Sequence, residues 1–233
     1  CFRYHPLSHY TKTEIESGRL GQIRYLSGNF MGFKRPRTDV GVTHTDGIHF
    51  LDLFNWLLDS FPTEVYAVTR DHFGRGLEDT SIVLLDYPDG TLAKVESGYI
   101  QPGRWEDKVV PNARTTKEMF AVGTQKTVEA DYETGALTLR EVHFEKKSAA
   151  WHPVFGETSS PVLPAMTPVE MVVRELAAFL NAVKTRREPE ANALSSGLAL
   201  ATLMEAIYRS TKTHRPQSLD ATRFLSQKSE AMS

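Results

Sequence analysis

His44, Thr45, Asp46 and His49 crowd the start of an otherwise apolar stretch, Gly41 to Leu58, which reads GVTHTDGIHFLDLFNWLL. Asp46 and His49 are spaced i,i+3, so a helix puts both on one face. A neutral imidazole near a carboxylate takes or gives a proton near pH 7, which makes general acid–base catalysis the chemistry this spacing permits. A structural role fits the same residues. Asp46 is then an N-cap for the first free backbone N–H groups, and His49 a satisfied helix histidine. Metal binding fits less well, because His44 and His49 miss the i,i+4 spacing that aligns two ligands on one helical face. His5 and His9 do have that spacing, but Pro6 separates them and no third ligand lies nearby for a four-coordinate zinc.

The helix that carries these groups holds Asp52 among large apolar residues, so its body anchors in a core while its first turn faces a cleft. Before it, Phe2 to Tyr4 reads as the end of a strand stopped by Pro6, followed by a helix from Leu7 to Ser17 with Gly18 as its stop. Gln22 to Phe33 alternates as a strand. Lys34 to Asp39 is a basic loop, either solvated or facing an anionic ligand. After Pro62, strands are expected over Val65–Phe73, Asp79–Tyr87 and Leu92–Ile100, the last two joined by a Pro-Asp-Gly turn. Gln101 to Lys117 reads as a long irregular loop carrying Arg104, Trp105, Lys108 and Arg114. Its cations suit an acidic or phosphate-bearing ligand, and its Trp and Arg suit an oligomer contact equally.

Further strands are expected over Glu118–Val122, Thr127–Asp131 and Ala136–Glu145, then a proline-bearing loop over Lys146–Met166. Thr167, Pro168 and Glu170 form a capping box for a helix whose stripe of Val169, Val173, Leu176, Leu180 and Val183 is expected to face the core. A last helix spans Asn192 to Thr211, and the tail from Gln217 is polar and expected to fray. These elements indicate an α+β two-layer sandwich: an open, mostly antiparallel sheet of about six strands with helices on one face. The other face then needs a cover, and a partner is expected there.

The chain has 233 residues, 40% hydrophobic and 24% charged, with a formal net charge of −2. No basic excess exists to neutralise phosphates, which argues against nucleic-acid and anionic-membrane partners. No apolar run reaches the roughly 20 residues that span a bilayer. Cys1 is the only cysteine, so no intramolecular disulfide forms, and the cytoplasm is the default location. The apolar, aromatic start without an initiator Met suggests that the first part of a longer protein is missing.

Several short motifs, in order along nearly the whole chain, resemble the C-terminal domain of the Gfo/Idh/MocA family, the glucose–fructose oxidoreductase and inositol dehydrogenase relatives. They are Arg3-Tyr4-His5-Pro6 with Ser17-Gly18-Arg19-Leu20-Gly21; Asp46-Gly47-Ile48-His49-Phe50-Leu51-Asp52 leading to Trp56-Leu57; Glu78-Asp79 with Asp89-Gly90; Gly123-Thr124-Gln125-Lys126; and Glu205-Ala206-Ile207-Tyr208-Arg209-Ser210. The resemblance implies an NAD(P)-dependent oxidoreductase for a sugar or polyol. Residues 1–219 would form its substrate-binding and oligomerisation domain, with a tail over 220–233. An N-terminal Rossmann domain, absent from this chain, would hold NAD or NADP. His49 would be the general base that takes the hydroxyl proton as hydride leaves, with Asp46 and Thr45 in support; Thr45 stands where the family has Asp. Arg3, His44, Tyr99, Arg104 and Trp105 would line the substrate side. No cofactor-binding residue is assigned, because the chain has no Gly-x-Gly-x-x-Gly turn. The chain alone is then expected to be inactive, with a homodimer or tetramer formed through the open sheet face. The alternative is a catalytically dead sugar-binding or scaffold relative.

Overall fold

The computed structural model describes residues 1–189 and 193–220. Phe2–Tyr4 is a turn of 3-10 helix, not a strand end, closed by the Tyr4 N–H on the Cys1 carbonyl at 2.9 Å. It leads into helix α1 (Pro6–Glu16), where Pro6 occupies the first turn and His5 Nδ1 accepts the Leu7 N–H at 3.2 Å. Strand β1 (Ile23–Phe33) follows. A π-helical turn, Thr43–Gly47, then runs without a break into helix α2 (Ile48–Leu58). Asp46 therefore lies inside helical backbone and caps nothing, and the N-capping role does not hold.

The remaining strands are β2 (Glu64–Arg70), β3 (Thr80–Asp86), β4 (Leu92–Gly98), β5 (Trp105–Glu106), β6 (Arg114–Gly123), β7 (Lys126–Asp131), β8 (Ala136–Lys147) and β9 (Ala150–Ser159). Helices α3 (Pro168–Thr185) and α4 (Leu194–Thr213) and the short strand β10 (Gln217–Ser218) complete the described residues. One open sheet has the order β10-β2-β3-β4-β1-β6-β7-β8-β9, with β5 beside β6. Among the described residues, only the β1–β4 pair is parallel; every other pair is antiparallel.

The α+β class and the open, mostly antiparallel sheet agree with the sequence reading, but the sheet has ten strands rather than about six. β9 occupies the stretch read as loop. Pro153 and Gly156 look like breakers there, yet β9 is an edge strand, where a missing N–H is tolerated. β5 and β10 are two residues each, too short to show periodicity. β10 pairs with β2, so the chain does not fray at Gln217. β6 begins at Arg114 and shortens the long loop. Asn192 and the residues from 221 lie outside the described residues.

Helix α2 buries Phe50, Leu51, Leu53, Phe54 and Leu57 against the sheet. The approach is close at Gly28, where a Cβ would stand 2.5 Å from the Phe50 ring. On the opposite face Ile82 and Leu84 remain 39% and 37% exposed, while their neighbours Val83 and Leu85 are buried. The α3 stripe corrects a second expectation. Thr167 and Glu170 do form the capping box, but Val169, Val173, Leu176, Leu180 and Val183 are all exposed and only Met171 is buried. Amphipathic periodicity says that a helix has an apolar face, not that this chain covers it. Among the described residues, no helix is long and apolar enough to cross a membrane.

Candidate active site

Phe30, near the end of β1, is the hub of the candidate site. Lys34 Nζ lies 4.5 Å from its ring centroid and Lys117 Nζ 4.9 Å, so two ammonium groups are held by one aromatic ring. His49 stacks on the same ring at 5.9 Å and on Phe2 at 4.9 Å. Strand register explains Lys117: it is the cross-strand partner of Phe30, so both point to the helix-covered face.

Each lysine has its own anionic partner. Lys34 Nζ lies 2.8 Å from Asp46 Oδ1 and 2.7 Å from Oδ2, and both side chains are buried. Lys117 Nζ lies 3.0 Å from Asp107 Oδ2 and 2.5 Å from Glu133 Oε1. Burial pushes the Asp46 carboxyl up from its ordinary value, and Lys34 opposes that shift. Burial, then the N-terminal ammonium, Lys117 and Lys34, lower His49 to about 4. His49 is thus a neutral, half-buried imidazole at physiological pH. The Asp46 carboxylate is engaged by Lys34 and makes no described hydrogen bond to His49, so their shared helix face does not become a direct acid–base pair.

Thr45 and Tyr99 come together. The Thr45 hydroxyl donates to the Val42 carbonyl at 3.3 Å and accepts from the Tyr99 hydroxyl at 2.6 Å. The Tyr99 ring lies 5.5 Å from Lys34 Nζ, which joins this pair to Asp46. Burial raises the Tyr99 phenol, so it stays a hydrogen-bond donor. His44 is exposed, with Nδ1 2.8 Å from the Tyr208 hydroxyl.

Three expected substrate contacts stand elsewhere. Arg3 is 4% exposed and forks onto Asp52 through Nε at 2.7 Å and Nη2 at 2.5 Å, which ties the N-terminal turn to α2. Arg104 pairs with Glu118 at 2.6 Å, and Trp105 Nε1 donates to Asp131 at 2.9 Å. Glu118 alternates with Lys117 on β6, and its cross-strand partners are Asn29 and Asp131. Arg104 and Trp105 therefore attach to the open face of the sheet, away from His49. From sequence, Lys117 and Tyr208 received no site role, and Lys34 entered only as the start of the basic loop. The inward alternation Thr115, Lys117, Met119 was a usable signal for Lys117; Lys34 finds its partner only in three dimensions.

The four histidines do not converge. His5 caps α1, His9 meets the Trp56 ring at 5.5 Å, His44 meets Tyr208 and His49 meets Phe2. Among the described residues, no group of three or more His, Cys, Asp or Glu could hold a metal ion. A dinucleotide fits these residues no better. The one glycine that opens the loop into the α2 region, Gly41, has its open side filled by the Glu78 carboxyl, 2.0 Å from where a Cβ would be. An acidic group in that position repels a pyrophosphate, and Glu78 already takes backbone N–H groups that a phosphate-binding helix end leaves free: the Thr43 N–H at 3.1 Å through Oε1 and the Val42 N–H at 3.0 Å through its carbonyl.

Over 229 residues the chain is 24% identical to D-xylose 1-dehydrogenase (NADP(+)) 2 of Haloferax volcanii, covering 94% of this chain and 63% of that protein. Levoglucosan dehydrogenase in complex with NADH and levoglucosan matches with a TM-score of 0.74 at 16% identity, over 94% of this chain and 64% of that one. Aldose–aldose oxidoreductase from Caulobacter crescentus, complexed with glycerol, matches with a TM-score of 0.67 at 21% identity, over 93% and 62% of the two chains. The structural likenesses show a shared fold, and this chain spans a little under two thirds of each relative. Residues 9–129, from α1 through β7 and with every residue of the Phe30 cluster except Phe2 and Glu133, match the GFO/IDH/MocA C-terminal domain, and the chain belongs to that family.

Proposed function

We propose that this chain is the substrate-binding and oligomerisation domain of an NAD(P)-dependent oxidoreductase for a sugar or polyol. The dinucleotide is assigned to a part of the protein outside these 233 residues, and the chain alone to an inactive state. The observation that carries the reading is the neutral His49 held against Phe2 and Phe30 beside the Lys34–Asp46 pair, in a chain of this family.

The chain's own part is the proton side of the reaction. His49 accepts the proton of the substrate hydroxyl. A pKa of about 4 makes it a weak base that stays neutral, and so able to accept, at physiological pH. Lys34 and Lys117 disfavour the imidazolium and favour the alkoxide that forms as the proton leaves. Thr45 and Tyr99 supply neutral hydroxyls where the family's carboxylate would stand, and Asp46 holds Lys34 in place. The exposed α3 stripe and the open sheet face, with Ile82 and Leu84, supply surface for another domain and for a dimer or tetramer. A cytoplasmic location accords with the single cysteine.

The test is His49→Asn in a protein that carries this chain together with its dinucleotide-binding part, assayed with D-xylose and xylitol as substrates. Loss of a general base lowers turnover by about 10²–10⁴-fold. A change of only a few-fold removes His49 from that role. A second reading, a sugar-binding relative without turnover, is favoured by Thr45, whose hydroxyl cannot carry charge near neutral pH. It predicts sugar binding with no hydride transfer to either dinucleotide.

A further inference from the structure

His44 lines two cavities. One, of about 540 Å³, is walled by Gly41, Thr69, Asp71 and Glu78; the other, of about 380 Å³, lies against α4. Tyr208, from α4, lines both, and its ring stacks on the His44 imidazole with centroids 5.5 Å apart and planes 16° apart. The polar atoms of this pair continue inward to a buried carboxylate. Glu78 Oε1 accepts the Thr43 backbone N–H at 3.1 Å and the Tyr208 hydroxyl at 2.8 Å.

The order of bonds fixes where the hydrogens are. A carboxylate only accepts, so the phenolic hydrogen is directed at Glu78. The Tyr208 oxygen then has only lone pairs to offer His44, 2.8 Å away, so His44 Nδ1 carries the ring hydrogen. Nε2 is left as an acceptor, and no described residue bonds to it. Gly41 makes the arrangement possible, because a side chain there would collide with the Glu78 carboxyl. The larger cavity's wall adds Asp39 and Asp71 to Glu78; Asp39 is paired with Arg37 at 2.6 Å, while Asp71 and Glu78 have no Lys or Arg partner in the wall and leave it acidic, so it offers acceptors and disfavours anions.

We propose that Glu78, Tyr208 and His44 form a relay that presents His44 Nε2 to a hydroxyl group of a neutral sugar or polyol and excludes acidic or phosphorylated sugars. The ligand class rests on the oxidoreductase reading above; the orientation of His44 does not. That orientation needs neither His49, Lys34 nor a dinucleotide.

The experiment is ¹⁵N NMR of the histidine rings in the labelled 233-residue chain, titrated with xylitol and, separately, with glucose 6-phosphate. The expected result is a protonated Nδ1 and an unprotonated Nε2 at His44. Xylitol shifts the Nε2 resonance, and glucose 6-phosphate leaves it in place. Tyr208→Phe keeps the stacked ring but breaks the relay; His44 becomes a mixture of tautomers and xylitol binds about tenfold more weakly, the value of one hydrogen bond. Glu78→Gln provides a second break that keeps the side-chain shape. An Nε2–H tautomer in the parent chain overturns the relay. A xylitol titration that leaves His44 unmoved, or unchanged affinity in a folded Tyr208→Phe chain, overturns the ligand assignment. Hydride transfer is not read in this experiment, so failure of the oxidoreductase reading shows up separately, in the His49→Asn turnover assay.

Discussion

Replacing Lys34 by Met tests the electrostatic account of the site. Lys34 and Asp46 have side chains only 9% and 3% exposed, with the ammonium within 2.8 Å of both carboxylate oxygens. An exposed pair of this kind is worth under about 1 kcal/mol, whereas removing one partner of a buried pair costs about 3–5 kcal/mol, because the other charge stays buried alone. Methionine keeps the apolar stem against Phe30 and Tyr99, so most of the loss belongs to Asp46. The sign with pH follows from the carboxyl. Burial already raises Asp46 above its ordinary 3.8, and losing Lys34 raises it further. The folded variant then binds a proton that the unfolded chain has released, so its stability deficit is greatest at high pH and shrinks as pH falls through the raised folded value. Urea unfolding of the parent chain, Lys34→Met, Asp46→Asn and the double variant, at about pH 8 and about pH 5, reads both effects. The double variant should recover most of the loss. A single-variant cost below about 1 kcal/mol at the higher pH, or a cost that does not change with pH, refutes the account.

Acid should weaken the fold through histidines. His5 is held near 4, chiefly by burial, against an ordinary 6.5, so its contribution to stability is intact above 6.5 and declines as pH falls toward 4, by up to about 1.4 kcal/mol per pH unit; His5→Gln should flatten that part of a urea-midpoint profile. Gly28→Ala, with Phe50 2.5 Å from the new Cβ, should cost about 1–3 kcal/mol, while Gly197→Ala in α4, with nothing within 4 Å, should be neutral or stabilising by up to about 1 kcal/mol in the same assay. Leu176→Ser with Leu180→Ser on α3 should change stability by less than about 1 kcal/mol, far from the roughly 2–5 of a buried Leu→Ala, and thermal or urea unfolding decides between them.

Local chemistry determined a good deal by itself. The apolar repeat of Phe50, Leu53, Phe54 and Leu57, the Pro-Asp-Gly turn and the Thr167–Glu170 capping box act over a few residues, so α2, the β3–β4 hairpin and the start of α3 were legible before any coordinates. The same holds for the polar cluster of His44, Thr45, Asp46 and His49 at the mouth of α2. Short pairings were not legible. β5 and β10 exist only because β6 and β2 lie beside them, and β9 tolerates Pro153 because it is an edge. The partners inside the site belong to tertiary structure too. Asp46 meets Lys34 rather than His49, Tyr99 meets Thr45 across 54 positions, and His44 meets Tyr208 across 164. Arg104 and Trp105, promising by residue type, are tied to Glu118 and Asp131, and strand alternation turns Glu118 away from its neighbour Lys117 in the site. Periodicity reports which side of an element is apolar or polar; which groups then meet, and which carboxylate is already engaged by a lysine, depends on strand order and helix docking, which bring together residues far apart in the chain.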